Sequence, residues 1–432
     1  MKEQTIRYGS REIGFSLPRG RLVRRLEPEF PHATSSAAEI LGGALKQPLG
    51  SKTLVDIASG KKSAAILIPG KARLAGTREY VPALVSELKK AGLADHGITI
   101  FLADGTHEQH LESDVAALLG EDLVSRIRCL GHDCRKEEEV VELGTTRFGT
   151  PVLINRQVLD SEVKVLTGRI VPHYFAGFSG GRKALIPGVA GFRTILANHR
   201  LTLDRQRGIH PAVGLCSLAD NPVHLDMLEG ARMAKPDFCL NTLLNSDHQM
   251  IGAVAGDFEI AHEAGCRFAG QWLRLTLAEP VDVLVTSAGG LPYDCNFMQA
   301  LKTVFNVQDV VRPGGAILWV AECPQGINPG FLGWAALQSD DELEEAVRAK
   351  YSLTGHNSIM LRQLIRKADV SLCSVLPREV VAKLGLHPVS SLQEGLRWVL
   401  EKFEGDFTYA VVPYANVMCA KRAWSYKVGG IP

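Results

Sequence analysis

Seven side chains stand out for the chemistry they could do together. His107, His173 and His199 titrate near neutrality and suit general acid–base work. Lys183 adds an amine, and Arg73, Arg182 and Lys302 add cations. Arginine holds a carboxylate through a two-pronged contact, and lysine holds it as a point charge. Two bases on opposite faces of one carbon permit inversion of a stereocentre. The interval 172–199, PHYFAGFSGGRKALIPGVAGFRTILANH, carries two of the histidines, the lysine and five glycines. Such glycine density points to a backbone that bends sharply or approaches a ligand closely. Ser179-Gly180-Gly181 would present successive N–H groups to an anion, with Arg182 and Lys183 directly after. The Walker A pattern GxxxxGK[ST] is not matched.

The same residues have plainer readings. Phe192, Ile195, Leu196 and His199 stand at i, i+3, i+4 and i+7, so His199 shares the buried face of a short helix. On spacing alone it reads more readily as a hydrogen-bonded core residue than as a ligand. His173, beside Pro172, could be a loop residue, and Lys71 and Arg73 could belong to a surface turn. Gln299 and Lys302 share a helix face that could simply be solvated. Cys129 and Cys134 flank His132-Asp133 as a metal site might, but read as buried thiols.

Taken together, the motifs resemble one family. The run His173-x-Phe175-x-Gly177-x-Ser179-Gly180-Gly181-Arg182-Lys183, then Pro187-Gly188 and Asn198-His199, is similar to the signature of the lactate racemases. The resemblance recurs at Gly105-Thr106-His107, at Asn221-Pro222-Val223 and at Gly290-x-Pro292-x-Asp294-x-Asn296-x-x-Gln299-x-x-Lys302, spanning most of residues 66–326. It implies a 2-hydroxy acid racemase or epimerase carrying a nickel-pincer nucleotide (pyridinium-3-thioamide-5-thiocarboxylic acid mononucleotide with nickel). The cofactor would be linked to Lys183 as a thioamide. Ser179, Gly180, Gly181 and Arg182 would form its cradle, and His199 would ligate nickel. His107 and His173 would be the two bases that take the hydroxyl proton while C2 gives a hydride to the cofactor. Arg73, Gln299 and Lys302 would hold the substrate. Arg182 would oppose protonation of Lys183. Sulfur-transferase and nickel-insertase partners are implied as well. Two departures, Gly70 for the family's aspartate and Met298 for the lactate enzyme's tyrosine, point away from lactate. With Lys71 they favour a larger or more anionic acid, a sugar acid or a malate-like dicarboxylate. Two rival readings are a zinc or iron hydrolase or lyase on His107, His173 and His199, and a non-catalytic cofactor-binding homologue.

The elements that must position these residues read as α/β. Buried strands at 63–69, 98–103 and 163–170 alternate with helices at 77–91 and 111–123, the pattern of a parallel sheet. Arg73, His107 and His173 then fall at carboxyl edges of strands, where ligands gather. Pro82 predicts a later start for the 77–91 helix, and Gly92 a stop. A hairpin is expected at 4–15, helices at 37–45, at 222–234 and, after a Gly256-Asp257 turn, on to Ala269, and strands at 238–244 and 250–254. A second unit repeats the scheme: strand 281–286, helix 300–310, a Pro313-Gly314-Gly315 turn, and strands at 316–321, 370–375 and 408–412.

The expectation is thus two α/β domains, 1–274 and 275–432, with mainly parallel sheets and the active site in the cleft between them. The last twenty or so residues would pack back on the first domain. A chain of 432 residues is long enough for two cores. Lys+Arg 48 against Asp+Glu 47 gives no global pull toward nucleic acid or membrane. Locally, residues 169–207 hold seven Arg/Lys and one acid, Asp204, a bias toward an anionic partner or a solvated basic face. Nine cysteines without a CxxC pair, no secretory signal and no long apolar run lead to the expectation of a cytoplasmic protein.

Overall fold

The computed structural model describes residues 3–31, 35–70, 73–107 and 112–421. Lys71, His110 and residues 422–432 lie outside them. Two six-stranded sheets organise the chain. In the first, the strand order is Met250–Gly256, Phe238–Leu244, Val163–Arg169, Ala64–Ile68, Ile98–Leu102, Arg128–Gly131. All neighbours are parallel except the Met250–Gly256 edge. Ala64–Ile68 is buried along its whole length, as a central parallel strand must be when helices cover both faces. In the second sheet the order is His387–Val389, Ala368–Cys373, Val311–Val320, Val281–Ser287, Thr408–Val412, Arg21–Arg25, all parallel.

The Thr77–Lys90 helix follows its sequence pattern closely. Tyr80, Val81, Leu84, Val85 and Leu88 are buried as one stripe, and Gly92 at φ +101 closes the end, with Leu93 N–H donating to Leu88 C=O. Pro82 does not delay the start. It sits on the exposed side of the helix, where water can meet the carbonyl it leaves unbonded.

Three expectations are revised. Pro313-Gly314-Gly315 is no free turn but an irregular part of strand Val311–Val320. The positive φ of Gly314 accompanies a jump in register from Val281↔Val311 to Val283↔Ala316. The helix expected at 300–310 runs Phe297–Phe305 and ends in a 3-10 turn, Gln308–Val310. The N-terminal segment does not stay with the first sheet. Arg21–Arg25 pairs with Thr408–Val412, and the Gln4–Tyr8/Arg11–Phe15 hairpin buries Ile6, Tyr8 and Phe15 in the second domain's core.

Near the other terminus the chain returns. Cys419–Lys421 pairs with Arg274–Thr276, and Val417 and Cys419 pack against Ile170, Phe178 and Leu243 of the first domain. Among the described residues no helix is long and apolar enough to cross a membrane.

Candidate active site

The site is assembled from chain turns that leave the carboxyl ends of the strands. Arg73 follows strand Ala64–Ile68 and His107 follows Ile98–Leu102, and their side chains meet, Arg73 Nη2 to His107 Nε2 at 3.4 Å. The His107 turn is tied to the glycine-rich stretch by Gly105 N–H donating to Gly188 C=O. His173 follows strand Val163–Arg169, and its ring is oriented by the Ala176 N–H, which donates to Nδ1 at 3.3 Å. Lys183 lies on the 3-10 turn Gly181–Ala184. That turn needs its glycines. Gly180 and Gly181 have φ of +77 and +53, and a Cβ would come within 2.6 Å of Asn241 Oδ1 or 2.8 Å of the His262 ring.

The second domain supplies the opposite wall. Asn296 caps helix Phe297–Phe305 by accepting from Gln299 N–H, and Lys302 Nζ donates to Gln299 Oε1 at 3.1 Å. One cavity between the domains is lined by Arg73, His107, His173, Ser179, Gly180, Lys183, Gln299 and Lys302, joined by Arg169, Tyr293 and Asn416. Gln299 and Lys302 therefore face the cleft rather than open solvent. No Asp or Glu among the described residues lines it.

Electrostatics follow from that lining. Burial, then Arg73, Arg182 and Lys302, hold Lys183 well below the usual lysine range, so the free amine is favoured. Burial, then Lys183, Arg73 and Lys302, likewise push His173 well down. Lys302 is lowered to about 8 by burial and Arg73. His199, on helix Phe192–Arg200, does not line that cavity; it is half-buried beside Phe175, whose ring it meets at 5.0 Å. Burial and the neighbouring His356 keep it neutral. The Ile195 carbonyl one turn back favours the protonated ring without completing a bond, and His199 Nδ1 is buried and unpartnered.

Part of the expected cradle does other work. The Ser179 N–H donates to Val171 C=O, Ser179 Oγ to Arg169 C=O, and the Gly181 N–H to Asn241 Oδ1. Ser179-Gly180-Gly181 therefore forms no row of open N–H groups, because buried backbone donors find partners within the fold. Arg182 is buried and turned away from the cavity. It donates to Ala176 C=O at 2.7 Å and lies 2.8 Å from His262 Nε2, bracing the loop from beneath. Met298 packs against the core, and Asn221 caps helix Pro222–Ala234. His132 Nε2 contacts Ala190 C=O and its Nδ1 contacts Asn155, so the Cys129–Cys134 segment is structural.

Sequence reasoning missed Arg169, Tyr293, Asn241, His262 and His356. Arg169 had a signal, a cation at the carboxyl end of a buried strand. Tyr293 lay inside the Gly290-to-Lys302 motif. Asn241, His262 and His356 had none, since only the tertiary fold brings them to the site.

Fold and site define a two-domain α/β protein whose interdomain cavity brings cations, paired imidazoles and a lysine amine together. Residues 8–209 match the profile of the lactate racemase N-terminal domain and residues 277–417 that of the lactate racemase C-terminal domain. The chain is 31% identical over 420 residues to a lactate racemase of Thermoanaerobacterium thermosaccharolyticum, covering 94% of this chain and 96% of that one. It is 32% identical over 295 residues, 68% of each chain, to a lactate racemase of Lactiplantibacillus plantarum. The solved structure of the T. thermosaccharolyticum lactate racemase apoprotein superposes with a TM-score of 0.88 at 28% identity, covering 97% of this chain and all of that one. A Thermotoga maritima protein shares the fold, with a TM-score of 0.69 at 19% identity over 90% of this chain and 99% of that one. The chain belongs to the lactate racemase family, and is by class an isomerase, a racemase or epimerase.

Proposed function

We propose that this protein inverts C2 of a 2-hydroxy acid with a nickel-pincer nucleotide bound covalently to Lys183. The observation that carries the reading is the cavity itself: an amine kept neutral and two imidazoles, walled by cations and by no carboxylate among the described residues. The residues present fit the group. Lys183 has the free-amine character an amide-type link needs, and its Nζ lies 5.4 Å from the Phe175 ring centre with no carboxylate in ion-pair reach among the described residues. His199 offers a neutral imidazole, a sensible nitrogen donor for square-planar nickel. Gly180 and Ala184 keep the wall beside Lys183 low. Bound there, the group supplies an acceptor for the C2 hydride.

The chain's own residues do the rest. His107 and His173 take and return the hydroxyl proton. Arg73, Gln299 and Lys302 hold the carboxylate and orient C2 between them. Gly70 in place of the family's aspartate and Met298 in place of the tyrosine favour an acid larger or more anionic than lactate. Sulfur-transfer and nickel-insertion proteins are the proposed partners in maturation. The rival hydrolase or lyase reading has less support, because no three His, Cys, Asp or Glu side chains converge as a metal site among the described residues.

The test is the intact mass and nickel content of the chain after co-production with such maturation proteins, followed by chiral analysis of incubated 2-hydroxy acids. Added mass on Lys183, with one nickel per chain and loss of optical activity in one acid, is expected. The Lys183→Ala variant should show none of the three. An unmodified Lys183 in a matured, nickel-free sample would overturn the reading.

A further inference from the structure

Arg169 lines the cavity but has no place in the reaction outlined above. It ends strand Val163–Arg169 and is 9% exposed. Its Nη1 donates to Leu74 C=O and to the Tyr293 hydroxyl, each at 3.4 Å, and its Nη2 to Leu244 C=O at 3.3 Å. All three contacts are longer than an N–H···O bond prefers, and Nε is buried without a partner. Arg182, by contrast, is braced at 2.7 and 2.8 Å and turned away from the cavity. Leu74 directly follows Arg73, so the slack guanidinium touches the chain next to the substrate-holding set. A buried cation with loose bonds and no carboxylate in reach among the described residues is costly to keep.

The donors around it select the kind of occupant. Arginine has five N–H groups and no acceptor. Three are spent on Leu74, Tyr293 and Leu244, which leaves one on Nε and one on Nη2. Toward arginine the Tyr293 oxygen can only accept, so its own hydrogen is left to give, and that hydroxyl has no other partner among the described residues. Asn416, across the seam, lines the same cavity. Its Oδ1 is buried beside Gly289 without a partner, and its amide can also donate. Arg169 repels an ammonium group. A neutral hydroxyl would leave the guanidinium charge uncompensated. A carboxylate accepts from all three side chains and pairs with a guanidinium through two bonds.

These donors stand apart from the reacting amine. The cations felt at Lys183 are Arg73, Arg182 and Lys302, whereas Arg169 is felt at His248, whose ring lies 6.3 Å from that of Tyr293. We propose that Arg169 is a specificity-determining residue which, with Tyr293 and Asn416, takes the distal carboxylate of the substrate, so that the acid inverted is a dicarboxylic 2-hydroxy acid of the malate type. The inference rests on the 2-hydroxy acid reading for the inversion, but not for the binding.

The experiment has two arms. The first needs no cofactor: titration calorimetry of the unloaded full chain with malate and with lactate. Malate should bind about tenfold tighter or more, the range for a hydrogen-bonded charge. That margin should shrink about tenfold in Arg169→Gln and recover in part in Arg169→Lys, which keeps the charge but not the fork. Asn416→Asp probes the same subsite at a side chain with no hydrogen bond among the described residues, and its added carboxylate should cut the margin as well. No binding of malate, equal affinity for the two acids, or a margin unmoved in both Arg169→Gln and Asn416→Asp overturns the proposal. The second arm measures kcat/KM for the same acids in the matured chain. The malate-to-lactate ratio should fall about tenfold in Arg169→Gln, with nickel and the added mass on Lys183 retained. Loss of both with an unmoved ratio would assign Arg169 to the nucleotide's phosphate and overturn the proposal. A matured chain that inverts no acid, while the calorimetric margin holds, would sink the racemisation and leave the subsite standing.

Discussion

The basic stretch 169–207 divides into two regions that treat the same charge in opposite ways. At its outer end Arg207 lies 2.5 Å from Asp341 and 3.6 Å from Glu344, and Arg200 donates to a backbone carbonyl. At its inner end Arg169, Arg182 and Lys183 are buried, and none has a carboxylate in ion-pair reach among the described residues. Burying a cation without a counter-charge is costly, so it persists where something else is gained. Outer charge here closes the fold on carboxylates, whereas inner charge is held by backbone carbonyls at Arg169 and Arg182 and suppressed by burial at Lys183. Of the two readings of this stretch from sequence, the solvated basic face describes its outer end, and the anion site belongs to the function proposed for its inner end.

The largest effect that would sharpen this contrast lies at the inner end. In the matured enzyme His107→Ala and His173→Ala should each lower kcat by about 10²–10⁴-fold, the range for loss of a positioned acid–base group. Nickel and the added mass should stay in place, because neither residue is proposed to hold them. Loss of nickel from both variants would reassign them to cofactor binding and erase the division of labour proposed for the cavity.

How legible was this in the sequence? The residues that converge on the cavity were readable because each follows a buried apolar strand, and strand ends in a parallel sheet share one edge. Lys183 and Gly180 were readable because their glycine neighbours leave few conformations open. The buried apolar segments around 64–68 and 281–286 likewise told of two parallel sheets. Arg21–Arg25 did not announce itself, because an edge strand with three arginines has no apolar period to detect. The Ser179–Gly181 donors misled. A row of glycines shows where N–H groups could point outward, but whether Asn241 or Val171 reaches them first depends on strands far along the chain. Arg182 does oppose protonation of Lys183 as expected, but its place in the open cradle was misread for the same reason: its partner His262 lies 80 residues away in sequence.

A smaller effect separates the regions by pH. His262 and His356, both at about 3 in the folded chain, are disfavoured from charging by burial, while the unfolded chain titrates near 6.5. Between those values the unfolded state binds more protons, so stability falls as pH falls. From pH 7.5 to 5.5 each should remove about 1.4 kcal/mol, read from urea midpoints of the unloaded chain. Surface carboxylates such as Asp95 and Asp122, lowered by hydrogen bonds to Lys89 and Arg126, act in the same direction but only at lower pH. A flat stability profile above pH 5.5 would mean the interior histidines are reached by water.

The smallest effect is expected at the outer end. Arg207→Ala removes two ion-pair contacts, yet the guanidinium is 60% exposed and Asp341 72%. Exposed pairs contribute roughly 0–1 kcal/mol, since water and salt screen them and ordering both side chains costs entropy. Glu344 also keeps other partners, because Gly208 N–H donates to it and Arg348 lies 3.4 Å away. The urea midpoint of Arg207→Ala should therefore differ from the parent by under about 1 kcal/mol, and less in high salt. Racemase activity should be unchanged. A loss of 2 kcal/mol or more would show that this outer charge is tied into the domain seam, and the line drawn between carboxylate-paired and carbonyl-held cations would have to be redrawn.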